Sequence, residues 1–378
     1  MVSSNRRKKR VEFRSNRQKR ARRNDLTRQV HSEAEVAEDL VSGERVSGKG
    51  ELSRHRTVLG DDEGGGLRRD VDESLCLPGR VLSSAGQYSL VQTEDGVFRE
   101  CTVRRVLRTL SRDGRNVVVT GDRVLVRPQE VAGDATPQGV VERVEPRTGT
   151  LSRTSQHREH VIAANIEQAL IVVSTDDPPL KPRLIDRFLV SAERGGVAGI
   201  VCINKADLAD RLDLQPLIGR YTALEYRAVL TSTVTGFGIA HLRQLLAGRT
   251  TVVSGQSGVG KSSLLNAVQP GLSLPTAAVS NWTQKGRHTT RRAVMHPLLS
   301  GGWVIDTPGI RQLELWDVRP EELEAWFPEF RPFVPRCRFP DCTHTHEGDC
   351  GVLAAVSSGL ISLERYHSYC RLLAGDMD

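Results

Sequence analysis

The residues with the clearest chemistry match the phosphate-binding loop pattern G-x-x-x-x-G-K-[ST]. A β-strand is predicted before this segment, at 250–254, and a helix after it, at 262–268. Glycines here let several backbone N–H groups face one anion, and the start of the helix adds its positive end. A glycine-rich turn is the alternative. The residues predicted to bind a nucleotide are Gly255, Gln256, Ser257, Gly258, Val259, Gly260, Lys261, Ser262 and Ser263.

Two side chains of this segment have specific predicted roles. Lys261 would reach the β and γ phosphates and support catalysis, and Ser262 would ligate Mg²⁺. The same chemistry needs a second metal contact, and Asp306 in Asp306-Thr307-Pro308-Gly309 follows a predicted strand at 302–305. Asp306 is expected to hold the metal through water, and the Gly309 N–H to sense the γ-phosphate.

The nucleobase that the site binds is predicted from Asn204, Lys205 and Asp207. These residues form an N-K-x-D motif after a buried-strand pattern at 199–203. The Asp207 carboxylate can accept two hydrogen bonds from guanine N1 and N2, whereas adenine offers no such pair. This chemistry selects GTP over ATP, although a surface turn would explain the four residues taken alone. Ser232, after a predicted strand at 227–230, lies where GTPases place a loop whose backbone contacts the guanine oxygen.

The polar segment 286–290, Gly-Arg-His-Thr-Thr, lies between the phosphate loop and Asp306. Thr289 or Thr290 is predicted to close over Mg²⁺ and the γ-phosphate. Ile310 occupies a position where many GTPases carry a water-orienting Gln, and it cannot polarise water. His288 is therefore a catalytic candidate on chemical grounds, with a solvated loop histidine as the alternative.

The order of the motifs predicts a circular permutation. N-K-x-D at 204–207 precedes the phosphate loop, and D-x-x-G at 306–309 comes last. Permutation preserves the assembled site but moves the chain ends, so the switch segments lie next to the C-terminal region, to which hydrolysis could be transmitted. Alternating strand and helix patterns predict a doubly wound parallel sheet.

Three thiols and an imidazole follow within 14 residues, in the pattern C-x₄-C-x-H-x₅-C formed by Cys337, Cys342, His344 and Cys350. Soft S and N donors at this spacing suit a tetrahedral structural Zn²⁺, and unrelated surface cysteines are the alternative. Spacing alone does not exclude His346 as the imidazole. Cys370 falls on the apolar stripe of a predicted helix, which favours core packing.

Composition and charge limit the class of protein. A chain of 378 residues with 38% hydrophobic residues can form two or three globular units. No run approaches the length of a membrane span and no secretory signal is evident, so we expect a cytoplasmic protein without a membrane partner. Seven cysteines, an odd number, argue against a disulfide framework.

Basic charge is concentrated at the N-terminus. Residues 1–28 contain 12 Lys and Arg against Glu12 and Asp25, a net charge of +10, while the whole chain carries +7. So few apolar residues predict a disordered tail whose natural partner is RNA, with a solvated tail or an organelle transit peptide as alternatives.

Residues 75–147 read as five or six short strands, including 116–119, and predict a small closed barrel, an OB-fold. Arg99, Arg104, Arg105 and Arg108 could give it an RNA-binding face; a purely structural barrel is the alternative. The predicted segments are a basic disordered tail and linker at 1–72, an OB-fold at 73–150, a circularly permuted GTPase at 151–318 and a helical zinc-binding domain at 319–378.

This series of motifs, between a small barrel and a Cys/His cluster, resembles the small ribosomal subunit-dependent GTPase A family over about residues 76–373. The resemblance implies hydrolysis of the GTP β–γ bond, stimulated by the small subunit during its late maturation. It implies rRNA as a partner, Mg²⁺ with GTP and one structural Zn²⁺; a monomer is expected. A GTP-gated RNA-binding module with a different RNA target and incidental turnover is the competing hypothesis.

The resemblance also assigns residues. By that similarity the zinc ligands are the three cysteines and His344, with His346 outside, and His288 corresponds to the proposed catalytic histidine. Thr233 is a departure, because the family has Ala there in the guanine loop; a backbone contact should tolerate the change.

Overall fold

The computed structural model describes most of the chain from residue 71 onward and three strands nearer the N-terminus. The described residues are 6–12, 55–62, 67–69, 71–85, 88–104, 107, 117–129, 136–155, 158–272, 293–306 and 320–375. They divide into two compact units, Met1–Arg147 with Ser155–Ala164, and Thr148–Thr154 with Asn165–Asp378. Within these described ranges, no helix combines the length and apolar character needed to cross a membrane.

The first unit begins with a three-stranded antiparallel sheet of β1 (Arg6–Glu12), β2 (His55–Asp62) and β3 (Leu67–Arg69), with β2 in the centre. These strands lie in the segment for which the sequence predicts no regular structure. The structure differs there because antiparallel pairing is made by backbone N–H and C=O groups. It needs no apolar face of the kind that periodicity detects.

A closed five-stranded barrel follows, in the order β4-β5-β6-β8-β7. All neighbours are antiparallel except β6 and β8, which pair in parallel. This is the strand order of an OB-fold, so the predicted barrel is confirmed. Its strands are β4 (Leu77–Ala85), β5 (Tyr88–Thr93), β6 (Phe98–Val103), β7 (Arg123–Gln129) and β8 (Gln138–Val144).

The predicted strand at 116–119 is wrong for its described part, because residues 117–119 form bends and coil. Val118 and Val119 are nevertheless buried, and Val118 belongs to the barrel core. The apolar run therefore indicated burial rather than extended pairing. Two further strands, β9 (Thr150–Ser155) and β10 (Arg158–Ala164), follow the barrel.

Two arginines proposed for an RNA-binding face are engaged within the barrel. The Arg104 side chain is buried and donates two hydrogen bonds to Glu142, at 2.7 and 2.6 Å. The Arg99 guanidinium forms a two-pronged pair with Asp95, at 3.0 and 2.7 Å. The proposed face is therefore wrong at Arg104, which is buried against Glu142, whereas the partly exposed Arg99 stays a prediction. Arg105 and Arg108 lie outside the described residues.

The second unit is built on a six-stranded sheet in the order β13-β12-β11-β14-β16-β15. All neighbours are parallel except β15 and β16, so the predicted doubly wound sheet is confirmed with one antiparallel edge strand. The strands are β11 (Gln168–Ser174), β12 (Ala198–Asn204), β13 (Arg227–Leu230), β14 (Thr250–Ser254), β15 (Val294–Pro297) and β16 (Trp303–Asp306).

In the described connections between these strands there are four helices: α1 (Pro182–Arg194), α2 (Gln215–Thr222), α3 (Ile239–Leu246) and α4 (Lys261–Val268). All seven residues of β11 are buried, as its continuous apolar run predicts for a strand covered on both faces. The core includes Leu170, Cys202, Leu242 and Leu264, all fully buried. Burial of this core holds the carboxyl ends of the strands in place.

The C-terminal part of this unit, residues 320–375, is short and helical. It contains three 3₁₀ segments (Pro320–Trp326, Pro328–Phe330, Val334–Arg336) and two helices, α5 (Gly351–Ser357) and α6 (Leu363–Leu373). Its core packs Phe327, Phe330 and Tyr369, with Cys370 partly buried against them. The packing role predicted for Cys370 is thus confirmed. We call residues 320–375 the C-terminal subdomain.

Candidate nucleotide and metal sites

The predicted nucleotide motifs meet at one edge of the parallel sheet. Because β11, β12, β13, β14 and β16 run in parallel, their carboxyl ends lie on the same side. N-K-x-D begins at the last residue of β12, and Asp306 is the last residue of β16. The guanine-loop candidate follows β13, and the phosphate loop follows β14. This edge is where ligands bind in open α/β sheets.

The phosphate loop has the backbone that its glycines predict. Gly255, Gly258 and Gly260 all have positive φ, at 144°, 86° and 89°. A Cβ on Gly255 would lie 2.1 Å from the Val172 carbonyl oxygen, so no larger residue fits against β11. Gly260 is the N-cap of α4, and the curled backbone therefore leads directly into the positive end of that helix.

Lys261 is the first residue of α4, and its side chain folds back over the loop. Its Nζ donates to the carbonyl oxygens of Gly255 and Gln256, at 2.8 and 2.7 Å. The ammonium is thus fixed at the loop that would surround a phosphate. Ser257, Ser262 and Ser263 are exposed, so the outer side of the loop and the first turn of α4 are open to a ligand.

Asn204 joins three of the motifs but is itself enclosed. Its side chain is 1% exposed; Nδ2 donates to the Val259 carbonyl at 2.9 Å, and Oδ1 accepts from the Thr231 hydroxyl at 3.1 Å. One amide therefore ties β12 to the phosphate loop and to the guanine loop. A Cβ on Gly260 would lie 2.6 Å from this amide, which explains the glycine there.

Lys205 and Asp207 complete the N-K-x-D motif. Lys205 has a positive φ of 57°, its carbonyl accepts from the Thr175 hydroxyl at 2.6 Å, and its Nζ donates to the Asp177 carbonyl. Both contacts are with residues 175–181, which we call the β11–α1 loop. Asp207 is exposed, so its carboxylate is open to a base.

Ser232 is buried, and its polar groups form hydrogen bonds within its own loop. It is 1% exposed, its N–H donates to the Phe237 carbonyl at 3.0 Å, and its hydroxyl accepts from the Thr235 N–H at 3.1 Å. Thr233, the next residue, is only partly buried. Ser232 therefore shapes this loop from within.

The switch residues are described only in part. The backbone of Asp306 pairs in register with Val253, one residue before the end of the strand that leads to the phosphate loop. The structure thus brings the start of D-x-x-G beside the phosphate loop, as predicted. His288, Thr289, Thr290, Gly309 and Ile310 lie outside the described residues.

A second cluster lies in the C-terminal subdomain. One ligand atom from each of Cys337, Cys342, His344 and Cys350 lies within 4.8 Å of all the others. His344 Nδ1 is 3.5 Å from the Cys337 sulfur and 3.4 Å from the Cys350 sulfur. Burial raises the pKa of the Cys342 thiol to about 12, a cost to thiolate formation that a bound cation would offset. Three sulfurs and one nitrogen at this separation fit a tetrahedral Zn²⁺.

The alternative imidazole is excluded by position. His346 Nδ1 is 2.9 Å from the Thr345 hydroxyl, and His346 is not part of the cluster. The second ring nitrogen of His344, Nε2, lies 2.6 Å from Glu324 Oε2. Metal-binding histidines commonly form such a hydrogen bond to a carboxylate. This contact fixes the ring with Nδ1 toward the thiols. Sequence analysis did not find Glu324, which lies 20 residues before the histidine.

A third polar cluster was also missed by sequence analysis. Asp186 of α1 and Arg365 of α6 are buried, at 2% and 0% exposure, and pair at 2.8 Å. Glu329 completes the cluster with two hydrogen bonds from Arg365, at 2.6 and 3.2 Å. The sequence does contain a signal for this cluster, because the acid Asp186 falls next to Ile185 and on the same helix as Phe188 and Leu189, which are buried. Charged residues are rarely buried without a partner.

These observations define a class of protein. A phosphate loop and an N-K-x-D motif assembled at one edge of a parallel sheet in permuted order, between an OB-fold and a Cys/His subdomain, are the features of a circularly permuted GTPase.

Comparison with known proteins narrows this class to a family. Residues 144–316 match the family model "RsgA GTPase". The chain is 42% identical over 305 residues to the small ribosomal subunit biogenesis GTPase RsgA of Chlorobaculum parvum, covering 79% of this chain and 97% of the relative. It is 40% identical to the protein of the same name from Gemmatimonas aurantiaca, over 78% and 95% of the two chains. The chain therefore belongs to the RsgA GTPase family, and it is a GTP hydrolase.

Solved structures agree with this assignment. YjeQ from Thermotoga maritima matches with a TM-score of 0.64 at 35% identity, covering 80% of this chain and 99% of that one. YloQ, described as a circularly permuted GTPase, matches with a TM-score of 0.61 at 29% identity, covering 82% and 97%. The predicted permutation and the three-part fold are thus confirmed.

Proposed function

We propose that this GTPase is a late-stage assembly factor of the small ribosomal subunit, which binds rRNA and hydrolyses GTP when the subunit stimulates it. The observation that carries the proposal is the assembled guanine-nucleotide edge, in a chain that matches relatives named for this role over 97% of their length. We further propose that it acts in the cytoplasm and as a monomer.

In this proposal the triphosphate of GTP lies in the phosphate loop. Backbone N–H groups of residues 256–262 surround the β-phosphate, and the Lys261 ammonium moves from the loop carbonyls to the β and γ phosphates. The exposed Ser262 hydroxyl, with Asp306 and Thr289, would hold Mg²⁺. Mg²⁺ held by these residues would neutralise charge that develops on the phosphate oxygens. The Gly309 N–H senses the γ-phosphate.

Guanine is recognised by the exposed Asp207 carboxylate, which accepts from N1 and N2. Since the Ser232 N–H is used inside its own loop, the backbone contact to the guanine oxygen falls to Thr233. Asn204 and Lys205 position these groups. Exchange of Asp207 for Asn should lower affinity for GTP by at least about 100-fold, because one acceptor becomes a donor. Xanthosine triphosphate, which has an acceptor in place of N2, should bind this variant better than GTP does.

His288 is proposed to orient the attacking water, because Ile310 has no polar group. Its substitution by Ala should lower stimulated hydrolysis by roughly 10²–10³-fold while leaving GTP affinity within about twofold. Equal loss of affinity and rate would instead assign His288 to binding.

The Cys/His cluster is proposed to hold one structural Zn²⁺. Its four donors are all provided by the chain, which leaves no open position for a reacting ligand. Metal analysis of the purified protein should give one zinc per chain.

The first experiment is GTP hydrolysis with and without purified small ribosomal subunits, with ATP as the control nucleotide and Lys261→Ala as the blank. Strong stimulation that is specific to GTP and to the small subunit is expected. Normal nucleotide binding without stimulation by small subunits would contradict the ribosomal role and direct attention to other RNAs.

A further inference from the structure

Among the described residues, the C-terminal subdomain contacts the nucleotide domain along helix α1, and Glu364 of α6 also pairs with Arg220 of α2 at 2.9 Å. Arg365 of α6 is fully buried and pairs with Asp186 of α1, and the Ser368 hydroxyl donates to the other Asp186 oxygen at 2.6 Å. Glu329, also from the subdomain, holds the far side of the Arg365 guanidinium. Every polar group of this cluster has a partner of fixed geometry, so it has one well-defined arrangement.

Further contacts extend this attachment along α1. Arg331 of the subdomain pairs with Glu193 at 3.1 Å, near the end of the helix. Between these two points, Val190 packs into the hydrophobic core of the subdomain. More than two turns of α1 are therefore covered by the C-terminal subdomain.

The same α6 helix holds residues 337–350, which carry the Cys/His cluster and which we call the metal-binding loop. The Tyr366 hydroxyl donates to the His344 carbonyl at 2.9 Å, and the Tyr369 hydroxyl donates to the Thr343 carbonyl at 2.9 Å. Arg365 and Ser368 contact α1 while their neighbours contact the metal loop. α6 thus joins the metal cluster to α1 within a short stretch of chain.

The other end of α1 lies at the nucleotide edge. α1 begins at Pro182, directly after the β11–α1 loop, and the Tyr221 hydroxyl donates to both the Pro182 carbonyl and Asp186. The loop holds Lys205 through the Asp177 carbonyl. A Cβ on Gly258 of the phosphate loop would lie 3.4 Å from Pro178. Movement of α1 would therefore reach both Lys205 and the phosphate loop.

We propose that Asp186, Arg365 and Ser368 are positioning residues for the bound nucleotide, so that docking of the C-terminal subdomain sets how long GDP is retained. Attachment of the subdomain holds α1, and α1 holds the β11–α1 loop against Lys205 and the phosphate loop. A partner that pulls on the subdomain would loosen this loop and speed GDP release. The proposal rests on the placement of the guanine nucleotide in the phosphate loop, as proposed above for GTP.

The test is the dissociation rate of fluorescent methylanthraniloyl-GDP from the full-length protein, chased with excess GDP. Ser368→Ala removes one hydrogen bond to Asp186 and keeps the ion pair, and GDP release should be about threefold faster. Ser358→Ala is the matched control, because its hydroxyl donates to the Ala354 carbonyl within the same subdomain. Its release rate should equal that of the wild-type protein.

Arg365 provides a stronger perturbation. Arg365→Met leaves Asp186 and Glu329 buried without their cation, and release should be about tenfold faster. Arg365→Lys keeps the charge but not the two-pronged geometry, so its GDP release rate should lie between those of the wild-type protein and Arg365→Met. Because Arg365→Met also threatens folding, the thermal midpoint of every variant is measured alongside.

Two outcomes separate this inference from the proposed function. If Ser368→Ala lowers the thermal midpoint but releases GDP at the wild-type rate, the cluster is purely structural and the inference is overturned. If the wild-type protein does not retain labelled GDP, the placement of the nucleotide itself fails. Faster release by Ser368→Ala with an unchanged Ser358→Ala control supports the inference.

Discussion

The nucleotide edge and the metal-binding loop belong to the same unit but are built in opposite ways. The nucleotide edge is fixed by buried strands such as β11, and its proposed ligand groups are largely backbone N–H groups. The segment 337–350 contains no helix or strand, and its backbone order relies on contacts such as Thr343 N–H to Glu347 at 2.7 Å. We infer that one site is organised before its ligand arrives, whereas the proposed Zn²⁺ would hold the loop of the other.

Of the changes that compare the two sites, loss of the metal should therefore have the largest effect on folding. Cys350→Ala removes a buried ligand, and we expect the C-terminal subdomain to unfold, because structural zinc contributes on the order of 10 kcal/mol in small sites. The sheet should still bind GDP, with faster release. Zinc content and limited proteolysis measure the change.

Two matched variants test whether this effect belongs to the ligands. Cys370→Ala removes a thiol that packs in the same core without joining the cluster, and His346→Ala removes the imidazole outside it. Both should keep one zinc per chain. Loss of zinc from either variant would contradict the four-ligand assignment.

Lys261→Ala should break the other site without unfolding it. The ammonium donates to two loop carbonyls, and the loop is also held by the Asn204 amide, which this variant keeps. We expect hydrolysis to fall by roughly 10²–10³-fold, because charge on the transferred phosphate loses its main cation. Single-turnover hydrolysis measures this, and a thermal midpoint close to that of the wild-type protein is expected. A large fall in the midpoint would mean that Lys261 holds the fold instead.

Gly255→Ala tests whether backbone space organises the nucleotide edge. The new methyl group would meet the Val172 carbonyl at 2.1 Å, which should destabilise the protein by about 2–3 kcal/mol and weaken GDP binding. Gly196→Ala is the control, since Gly196 also has positive φ but a Cβ there would meet nothing within 4 Å. Denaturant unfolding compares the two. Equal effects would attribute the cost to φ alone.

Asn204→Ala should have the smallest effect. It leaves the Val259 carbonyl and the Thr231 hydroxyl without their buried partner, and we expect a loss of about 1–3 kcal/mol in folding free energy. Affinity for GDP should fall as well, because the amide joins the phosphate loop to β12. Asn266→Ala, an exposed asparagine on α4, should change neither quantity. Calorimetry of GDP binding measures both variants.

Much of the site could be predicted because its chemistry is local in sequence. The phosphate loop, N-K-x-D and the Cys/His spacing each place their groups within a few residues, and the strand predicted at 250–254 is found at Thr250–Ser254. The predictions were wrong where a strand or a binding face was inferred from the residue types of one short segment alone. Residues 117–119 are apolar but not a strand, and Arg104 is basic but buried against Glu142.

The sequence by itself determined the class of chemistry, the permuted order of the motifs and the three candidate cysteine donors, since each follows from residue types at short spacing. Only the tertiary structure decided which groups are already engaged. Asn204 and Ser232 turn inward, Glu324 orients His344, and Arg365 finds Asp186 across 179 positions of sequence. Contacts between distant segments depend on how helices and strands pack. The hydrophobic periodicity of one segment does not indicate which other segment it packs against.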